Sequence, residues 1–180
     1  MHEQRIASRT AYQGRYIRLE LLDIRLPSGR PAVREVIRHP GAAVVLPETP
    51  DGRFVLIRQY RRAVDRELIE AVAGTLAPPE SPEECGRREL EEETGYRARS
   101  IRLLGTVYPA PGYTDERMHL YHAKVDAAPA AARPEEDEQI AVVLFRRDEI
   151  EALIASGGIE DAKTIAVWTL HRAATEAAPV

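Results

Sequence analysis

The pattern of apolar and polar positions predicts a chain of short strands with few helices. Ile17, Leu19 and Leu21 alternate with polar residues, which is typical of a strand with one buried face. Asp51-Gly52 stands between two short apolar runs and predicts the tip of a β-hairpin. The predicted strands cover residues 15–26, 33–37, 42–46, 54–57, 101–107, 118–125 and 140–145.

Three helices are predicted, and the first has the clearest boundaries. Ser81 is followed by a proline and, three residues on, by Glu84, a combination typical of a capped helix start. Gly95 is placed to end this helix. Two further helices are predicted at about residues 148–155 and 161–173. Strands interleaved with so few helices predict a mixed α/β (α+β) sandwich rather than a doubly wound parallel sheet.

Composition and charge narrow the classes of function. The chain of 180 residues and 20.1 kDa suits one compact domain with a small appendage. Its net charge of −4 argues against a dedicated duplex-DNA binder, so no nucleic-acid partner is expected. The single cysteine, Cys85, excludes an internal disulfide and favours a reducing compartment. Because no apolar run approaches the ~20 residues of a membrane span, we expect a soluble, cytoplasmic protein without a membrane partner.

The first predicted helix is strongly acidic. Glu89, Glu92 and Glu93 stand at i, i+3 and i+4, which places three carboxylates on one face of one turn. Like charges at this spacing, and acidic residues near a helix C-terminus, destabilise a helix. A hard divalent cation such as Mg²⁺ would compensate for both effects. On the charges alone, a solvated acidic face is the favoured explanation.

The spacing around this helix favours the metal site instead. Gly74 is followed after five residues by Glu80, and after seven more by the run Arg88-Glu89-Leu90-Glu91-Glu92-Glu93-Thr94-Gly95-Tyr96. This pattern resembles the complete Nudix box, with Tyr96 replacing the stricter aliphatic residue. The resemblance implies a Nudix-type mixed-sheet α/β/α sandwich over residues 39–180. Gly74 is expected to give the loop before the helix an unusual backbone conformation.

Segments outside the box resemble the ADP-ribose pyrophosphatase branch of the Nudix hydrolases and together span residues 14–172. Two departures are the Val72-Ala73-Gly74 sequence before the box and the Pro78-Pro79 pair inside it. The resembling segments are residues 34–37, 55–61, 70–74, 111–116, 134–138 and 161–164. The resemblance implies metal binding by Ala73, Glu89, Glu92 and Glu93, substrate binding by Arg34, Arg61, Glu70 and Glu116, and catalysis by Glu136, Glu138 and Arg88.

The resemblance also implies an activity and an assembly. We expect Mg²⁺-dependent hydrolysis of ADP-ribose to AMP and ribose 5-phosphate, with Mn²⁺ able to replace Mg²⁺. One alternative is a diphosphatase for another nucleoside diphosphate sugar, such as GDP-mannose. Another is a non-catalytic sensor of ADP-ribose, which the intact set of three box glutamates disfavours. Residues 1–38 are expected to form an N-terminal antiparallel β appendage used in homodimerisation.

Other reactive side chains are expected to be structural. A small packing role is favoured for Cys85, since no histidine lies near it in sequence. His119, His122 and His171 show no spacing typical of metal ligands.

Overall fold

The computed structural model describes residues 2–132 and 139–176, which form two compact units. One unit contains the residues up to 41 together with 108–117, and the other contains residues 42–107 and those from 118 onward. The strands are β1 (Gln4–Gln13), β2 (Arg18–Arg25), β3 (Pro31–Arg38), β4 (Ala42–Glu48), β5 (Phe54–Arg61), β6 (Arg66–Glu70), β7 (Val72–Thr75), β8 (Ala98–Val107), β9 (Met118–Val125) and β10 (Ile140–Phe145). The helices are α1 (Pro82–Thr94), α2 (Arg147–Ser156) and α3 (Ala162–Glu176).

The first unit is built on a three-stranded antiparallel sheet in the order β1-β2-β3. Residues 108–117 join it at Ile37, whose amide donates to the Tyr113 carbonyl at 2.8 Å and whose carbonyl accepts from the Asp115 amide at 3.2 Å. Arg38 reinforces this junction, since it binds both Glu20 and Asp115 at 2.8 Å. The unit therefore extends beyond the predicted N-terminal appendage, and the role of residues 1–38 in dimerisation stays a prediction.

The second unit is a mixed sheet in the order β10-β5-β4-β9-β8, with α1 on one face and α2 and α3 on the other. Strand β4 shows why both faces are covered. Ala43 and Val45 pack with Cys85 and Leu90 of α1, whereas Val44 and Leu46 pack with Trp168 and other side chains from the opposite helices. This period of two over a continuous apolar run buries both sides of the strand. The predicted α/β/α sandwich is confirmed.

The sheet opens between β4 and β5, which are paired only where Glu48 faces Phe54. The predicted hairpin tip lies there, and Gly52 adopts a φ of +79°. Beyond it, β6 pairs with β5 and β7 pairs with β4, so the chain changes partner at Ala71. The Ala71 amide donates to Thr164 Oγ1 of α3 at 2.7 Å. This opening places β7 beside the acidic helix.

None of the helices among the described residues is long and apolar enough to cross a membrane.

Candidate active site

Helix α1 begins and ends as predicted. Ser81 Oγ accepts from the Glu84 amide, and the Glu84 carboxylate accepts from the Ser81 amide at 2.7 Å, which completes a capping box. Gly95 ends the helix in the left-handed region at φ 72°. A Cβ at Gly86 would lie 3.0 Å from Val45 Cγ2, so a small residue lets the helix approach the sheet closely. These contacts hold the acidic face in one position.

Gly74 has a different role from the one expected from the sequence. It lies within strand β7 rather than in a loop of unusual conformation, and it pairs with Ala43. A Cβ at this position would lie 1.9 Å from the carboxyl carbon of Glu89. The box therefore needs glycine here because the Glu89 side chain occupies the space above the strand. The carboxylate is thereby held against strand β7 at Gly74.

We expect Gly74→Ala to displace the Glu89 carboxylate while costing little stability, because the atoms in conflict belong to the end of a flexible side chain. Affinity for Mn²⁺, followed by electron paramagnetic resonance, should fall about 10–100-fold. Gly112→Ala is the matched control, since no atom of residues 2–132 or 139–176 outside its immediate neighbours lies within 4 Å of the added methyl group. Unchanged Mn²⁺ affinity in Gly74→Ala would contradict this role.

Arg88 organises the carboxylates around it. Its guanidinium donates to Glu80 at 2.9 and 3.1 Å, to Glu89 at 2.7 Å and to Glu92 at 3.0 Å. Glu93 lies on the same turn but is only 3% exposed, whereas the Glu92 side chain is 43% exposed. One arginine thus orients three acidic side chains, and its role in catalysis stays a prediction. The site combines a deeply buried carboxylate with more accessible ones.

Arg88 strongly affects the protonation of Glu80. The hydrogen bonds from Arg88 lower the pKa of Glu80 to about 2, helped by the Ala77 amide, which donates to its carboxylate at 2.8 Å. Its ionised form is therefore favoured by folding.

A group whose pKa is depressed by folding contributes stability above its unfolded pKa and loses that contribution as the pH falls. Glu80→Gln should thus lower the free energy of unfolding by about 1–3 kcal/mol at pH 7. The difference from the wild type should be complete above pH 4.5 and vanish towards pH 2. Urea denaturation across this range tests the expectation, and a difference that does not vary with pH would refute it.

A second charged network lies at the end of β6. Glu70, only 1% exposed, accepts from Arg61 at 2.6 and 2.8 Å and from Lys163 of α3. Lys163 also pairs with Asp161 at 3.0 Å. The hydrogen bonds to Glu70 raise the pKa of Arg61, and the charges of Asp161 and Glu93 act in the same direction. The network therefore lies close enough to the box helix to interact with it electrostatically.

Arg61 keeps donors for a ligand despite this pairing. Glu70 takes Nε–H and one Nη2–H, while a guanidinium carries five N–H groups. The Arg61 side chain is 39% exposed, so remaining donors can reach an anion. Glu70 orients Arg61, and whether it also contacts substrate stays a prediction.

The structure places the other predicted residues as follows. Arg34 and Glu116 lie in the first unit, where Arg34 pairs with Glu3 at 2.5 Å and Glu116 lies 3.6 Å from His39. Glu136 and Glu138 lie outside the described residues. The segment leading towards them is fixed at Ala130, whose amide donates to the Gly95 carbonyl at 2.8 Å.

A cleft of about 410 Å³ adjoins the acidic helix beside this segment. Ala130 and Ala131 line it together with Arg88, Glu91, Glu92 and Arg97. The chain thus passes the C-terminal end of α1 shortly before it reaches the acidic residues 134–138.

Cys85 is buried and points at the carbonyls of Gly74 and Thr75, both 3.6 Å from its sulfur. Burial raises the pKa of the Cys85 thiol to about 12. The thiol is therefore a packing group, in agreement with the sequence analysis.

Lys163 and Asp161 were assigned no site role from the sequence. Glu70, which pairs with Lys163, is distant along the chain, so no local spacing connects the two residues. One signal was present: Lys163 is one of only two lysines in a chain rich in arginine.

The donors gathered here suit a hard divalent cation. Glu89, Glu92 and Glu93 offer carboxylate oxygens, and strand β7 lies against Glu89 at Gly74, the residue after Ala73. Oxygen donors of this kind are those that Mg²⁺ and Mn²⁺ prefer. The same face offers no sulfur ligand, since the chain's single cysteine is buried beneath it.

Comparison with known proteins agrees with this geometry. Residues 37–167 match the NUDIX domain model, and residues 3–37 match the nucleoside diphosphate sugar hydrolase N-terminal domain. The chain is 35% identical to an ADP-ribose pyrophosphatase of Bacillus subtilis, over 91% of this chain and 89% of the relative. It is 40% identical to a GDP-mannose pyrophosphatase of Yersinia enterocolitica, over 74% of each. A crystal structure of an ADP compounds hydrolase shares the fold with a TM-score of 0.84 at 23% identity, covering 98% of this chain and 95% of that one.

Proposed function

The chain belongs to the Nudix family of hydrolases, and from this premise we propose that it cuts the diphosphate of ADP-ribose to give AMP and ribose 5-phosphate. The observation that carries the proposal is the carboxylate face of α1, which Arg88 holds through Glu89 and Glu92. The N-terminal match to a nucleoside diphosphate sugar hydrolase domain supports the same class of substrate.

We propose Mg²⁺ as the metal, with Mn²⁺ able to replace it, because a divalent ion is typical of the family. Glu89, Glu92, Glu93 and the Ala73 carbonyl would hold it. When bound, such an ion neutralises charge on the diphosphate and lowers the pKa of a bound water. Arg88 keeps two of the carboxylates turned towards this position, so few side chains must be ordered on binding.

Arg61 is proposed to bind a phosphate oxygen. Its orientation is preset by Glu70, and a preset arginine loses less conformational entropy on binding an anion. Burial raises the pKa of Glu70, but Arg61 and Lys163 together lower it below its usual value, so the network retains its charge when a phosphate approaches. Arg34 and Glu116 are proposed to contact the remainder of the substrate.

The test is a comparison of turnover over a panel of nucleoside diphosphate sugars with Mg²⁺. We expect the highest kcat/KM with ADP-ribose, and AMP and ribose 5-phosphate as products. A higher kcat/KM with GDP-mannose would favour the alternative substrate, which the 40% identity to a GDP-mannose pyrophosphatase supports. Tight binding of ADP-ribose without turnover of any member of the panel would favour a sensor.

We also propose that the first unit forms a two-fold homodimer. Strand β1 is exposed along its whole length, and the sheet carries exposed large apolar side chains at Ile6, Tyr12 and Val33. Such side chains on one small sheet favour association. Arg34 can reach a neighbouring copy at little cost, since its pairing with Glu3 is exposed. A cytoplasmic location remains a prediction.

Ile6→Glu and Val33→Glu should each lower the fraction of dimer. The hydrolytic activity should fall in parallel with that fraction. Small-angle scattering at several concentrations gives the mass of each variant. Gln4→Glu adds the same charge to β1 without removing an apolar side chain, and it should remain dimeric. A wild-type protein that is monomeric and fully active at micromolar concentration would refute the assembly.

A further inference from the structure

A cluster of two histidines and one glutamate lies in the second unit among residues that the proposed reaction does not use. Glu48 is at the end of β4, His122 is on the neighbouring strand β9, and His171 is on α3. One ligand atom from each of the three lies within 4.8 Å of the other two. Three structural elements that are distant in sequence therefore converge on one point.

His171 has one feature that a packing role does not explain. The residue is only 5% exposed, and its buried Nδ1 has no hydrogen-bond partner among residues 2–132 and 139–176. A buried polar atom without a partner costs free energy, so such atoms are rare in folded proteins. The ring is fixed in place, with Phe54 edge-on at 5.3 Å and the His122 ring at 4.5 Å between centroids.

His122 and Glu48 complete the donor set. His122 Nε2 lies 2.8 Å from Glu48 Oε2, a hydrogen bond in which the imidazole donates to the carboxylate. A metal ion can replace the shared proton, since neutral imidazole keeps its hydrogen by moving it to Nδ1. Desolvation lowers the pKa of His122 and of His171, the latter to about 4, so both rings are neutral near pH 7. Neutral imidazole is the form that binds metals.

We propose that Glu48, His122 and His171 form a second metal site, selective for a divalent transition metal such as Zn²⁺, Co²⁺ or Ni²⁺. Two imidazoles and one carboxylate are a ligand set found for these ions, with the remaining position left for water. The site opens on a cleft of about 320 Å³, which gives an ion access from solvent.

The charges around the cleft determine which metals the site takes. Lys124 pairs with Glu48 at 2.6 Å, and Arg102 and Arg147 also line the cleft. These positive charges oppose a hard cation such as Mg²⁺, whose binding is mainly electrostatic. Transition metals gain more from their bonds to nitrogen, so they bind in spite of this field. Tetrahedral Zn²⁺ would need donor atoms about 3.4 Å apart. The His122–Glu48 pair at 2.8 Å would therefore widen slightly, and donors as far apart as 4.8 Å would approach by little more than 1 Å.

The consequence of binding is mechanical rather than catalytic. A metal here would link α3 to β4 and β9. Because the unfolded chain does not hold these ligands together, binding would raise Tm by about 5 °C or more at a metal concentration 100 times Kd. This site is independent of the proposed hydrolysis, which uses the acidic helix.

The fluorescence of a nearby tryptophan can report metal binding at this site. Trp168 is the chain's single tryptophan, and its ring centroid lies 5.9 Å from that of His171. Co²⁺ and Ni²⁺ quench indole fluorescence at short range, whereas Zn²⁺ does not. We expect Co²⁺ to quench Trp168 saturably, well below millimolar concentration, with one ion per chain. Zn²⁺ should reverse the quenching, while excess Mg²⁺ should not. The protein is used without a histidine tag.

Variants separate this site from other binding. His171→Phe and His122→Gln should each weaken the quenching by Co²⁺ at least tenfold. His119→Gln is the matched control on the same strand, an odd number of residues away and so on the opposite face, and it should behave as the wild type. Glu93→Gln, in the acidic helix, should also retain the quenching.

Glu48→Gln keeps the proposal testable if a histidine variant fails to fold. Glutamine preserves the shape and can still accept from His122, yet it removes the charged ligand. Thermal unfolding verifies its fold, and affinity for Co²⁺ should fall at least tenfold. Wild-type affinity in Glu48→Gln, or quenching by Co²⁺ that does not saturate in the wild type, would overturn the proposal.

Discussion

Replacing Glu93 by glutamine is expected to lower kcat by about 10²–10⁴-fold while the protein keeps its fold. Glutamine has the shape of glutamate but lacks the negative charge that a hard cation needs. A bound metal contributes several kcal/mol of charge stabilisation in a transition state, and each 1.4 kcal/mol corresponds to a factor of ten in rate. Glu93 is the most buried of the three box carboxylates, so water is least able to substitute for its charge. Glu89→Gln should have an effect of the same order.

The control for this experiment is on the same helix. Glu91 pairs with Arg97 at 2.7 Å, and Glu91→Gln should leave turnover near the wild-type value. Stability in the absence of metal gives an independent reading. Removing a negative charge near the helix C-terminus relieves repulsion, so Glu93→Gln should gain about 0.3–1 kcal/mol without metal. Near-normal turnover in both Glu89→Gln and Glu93→Gln would refute the metal assignment.

Glu136→Gln is expected to lower kcat by ~10²–10⁴-fold with little change in KM or in metal affinity. A carboxylate that binds a divalent cation is a poor base, because the cation lowers its affinity for a proton. The proton of the attacking water therefore needs another carboxylate to accept it. We propose that residues 134–138 supply this carboxylate, and the chain that leads to them is tied to the end of α1 by the Ala130 amide.

Two further outcomes assign the base differently. If Glu136→Gln is silent and Glu138→Gln is severely impaired, the acidic segment supplies the base two residues later than proposed. If both variants are silent, the base lies elsewhere, and Glu92 and Glu116 are the next candidates. Mn²⁺ affinity, measured in parallel, separates loss of a base from loss of a metal ligand.

Local signals predicted much of the fold. Strands β2–β5 and β8–β10 were found because their apolar residues alternate or form short runs, and α1 because its capping residues are explicit. Strand β1 was missed because it is exposed along its whole length, so no buried face shapes its composition. Strands β6 and β7 were missed because they are short and are defined by the change of partner at Ala71.

For the site, residue identities were easier to predict than contacts. The box spacing identified Gly74, Glu80 and the acidic helix. It does not reveal why residue 74 must be glycine, which is that the Glu89 side chain packs above it. The pairing of Glu70 with Lys163 joins residues 93 positions apart, and it depends on how α3 packs on the sheet. Contacts of this kind follow from the tertiary structure alone.

The hydrogen bond from the Ala71 amide to Thr164 Oγ1 has a consequence for shortening or permuting the chain. Ala71 is fully buried at the point where the strands separate, and its acceptor is supplied by the last helix. A version of the protein that ended before Thr164 would leave this amide without an acceptor, at a cost of about 1–3 kcal/mol. A version that lacked all of α3 would also lose Lys163, one of the two cations that pair with the buried Glu70. The last helix is thus an integral support of the sheet, and new chain ends are better tolerated at exposed turns such as the one at Gly52.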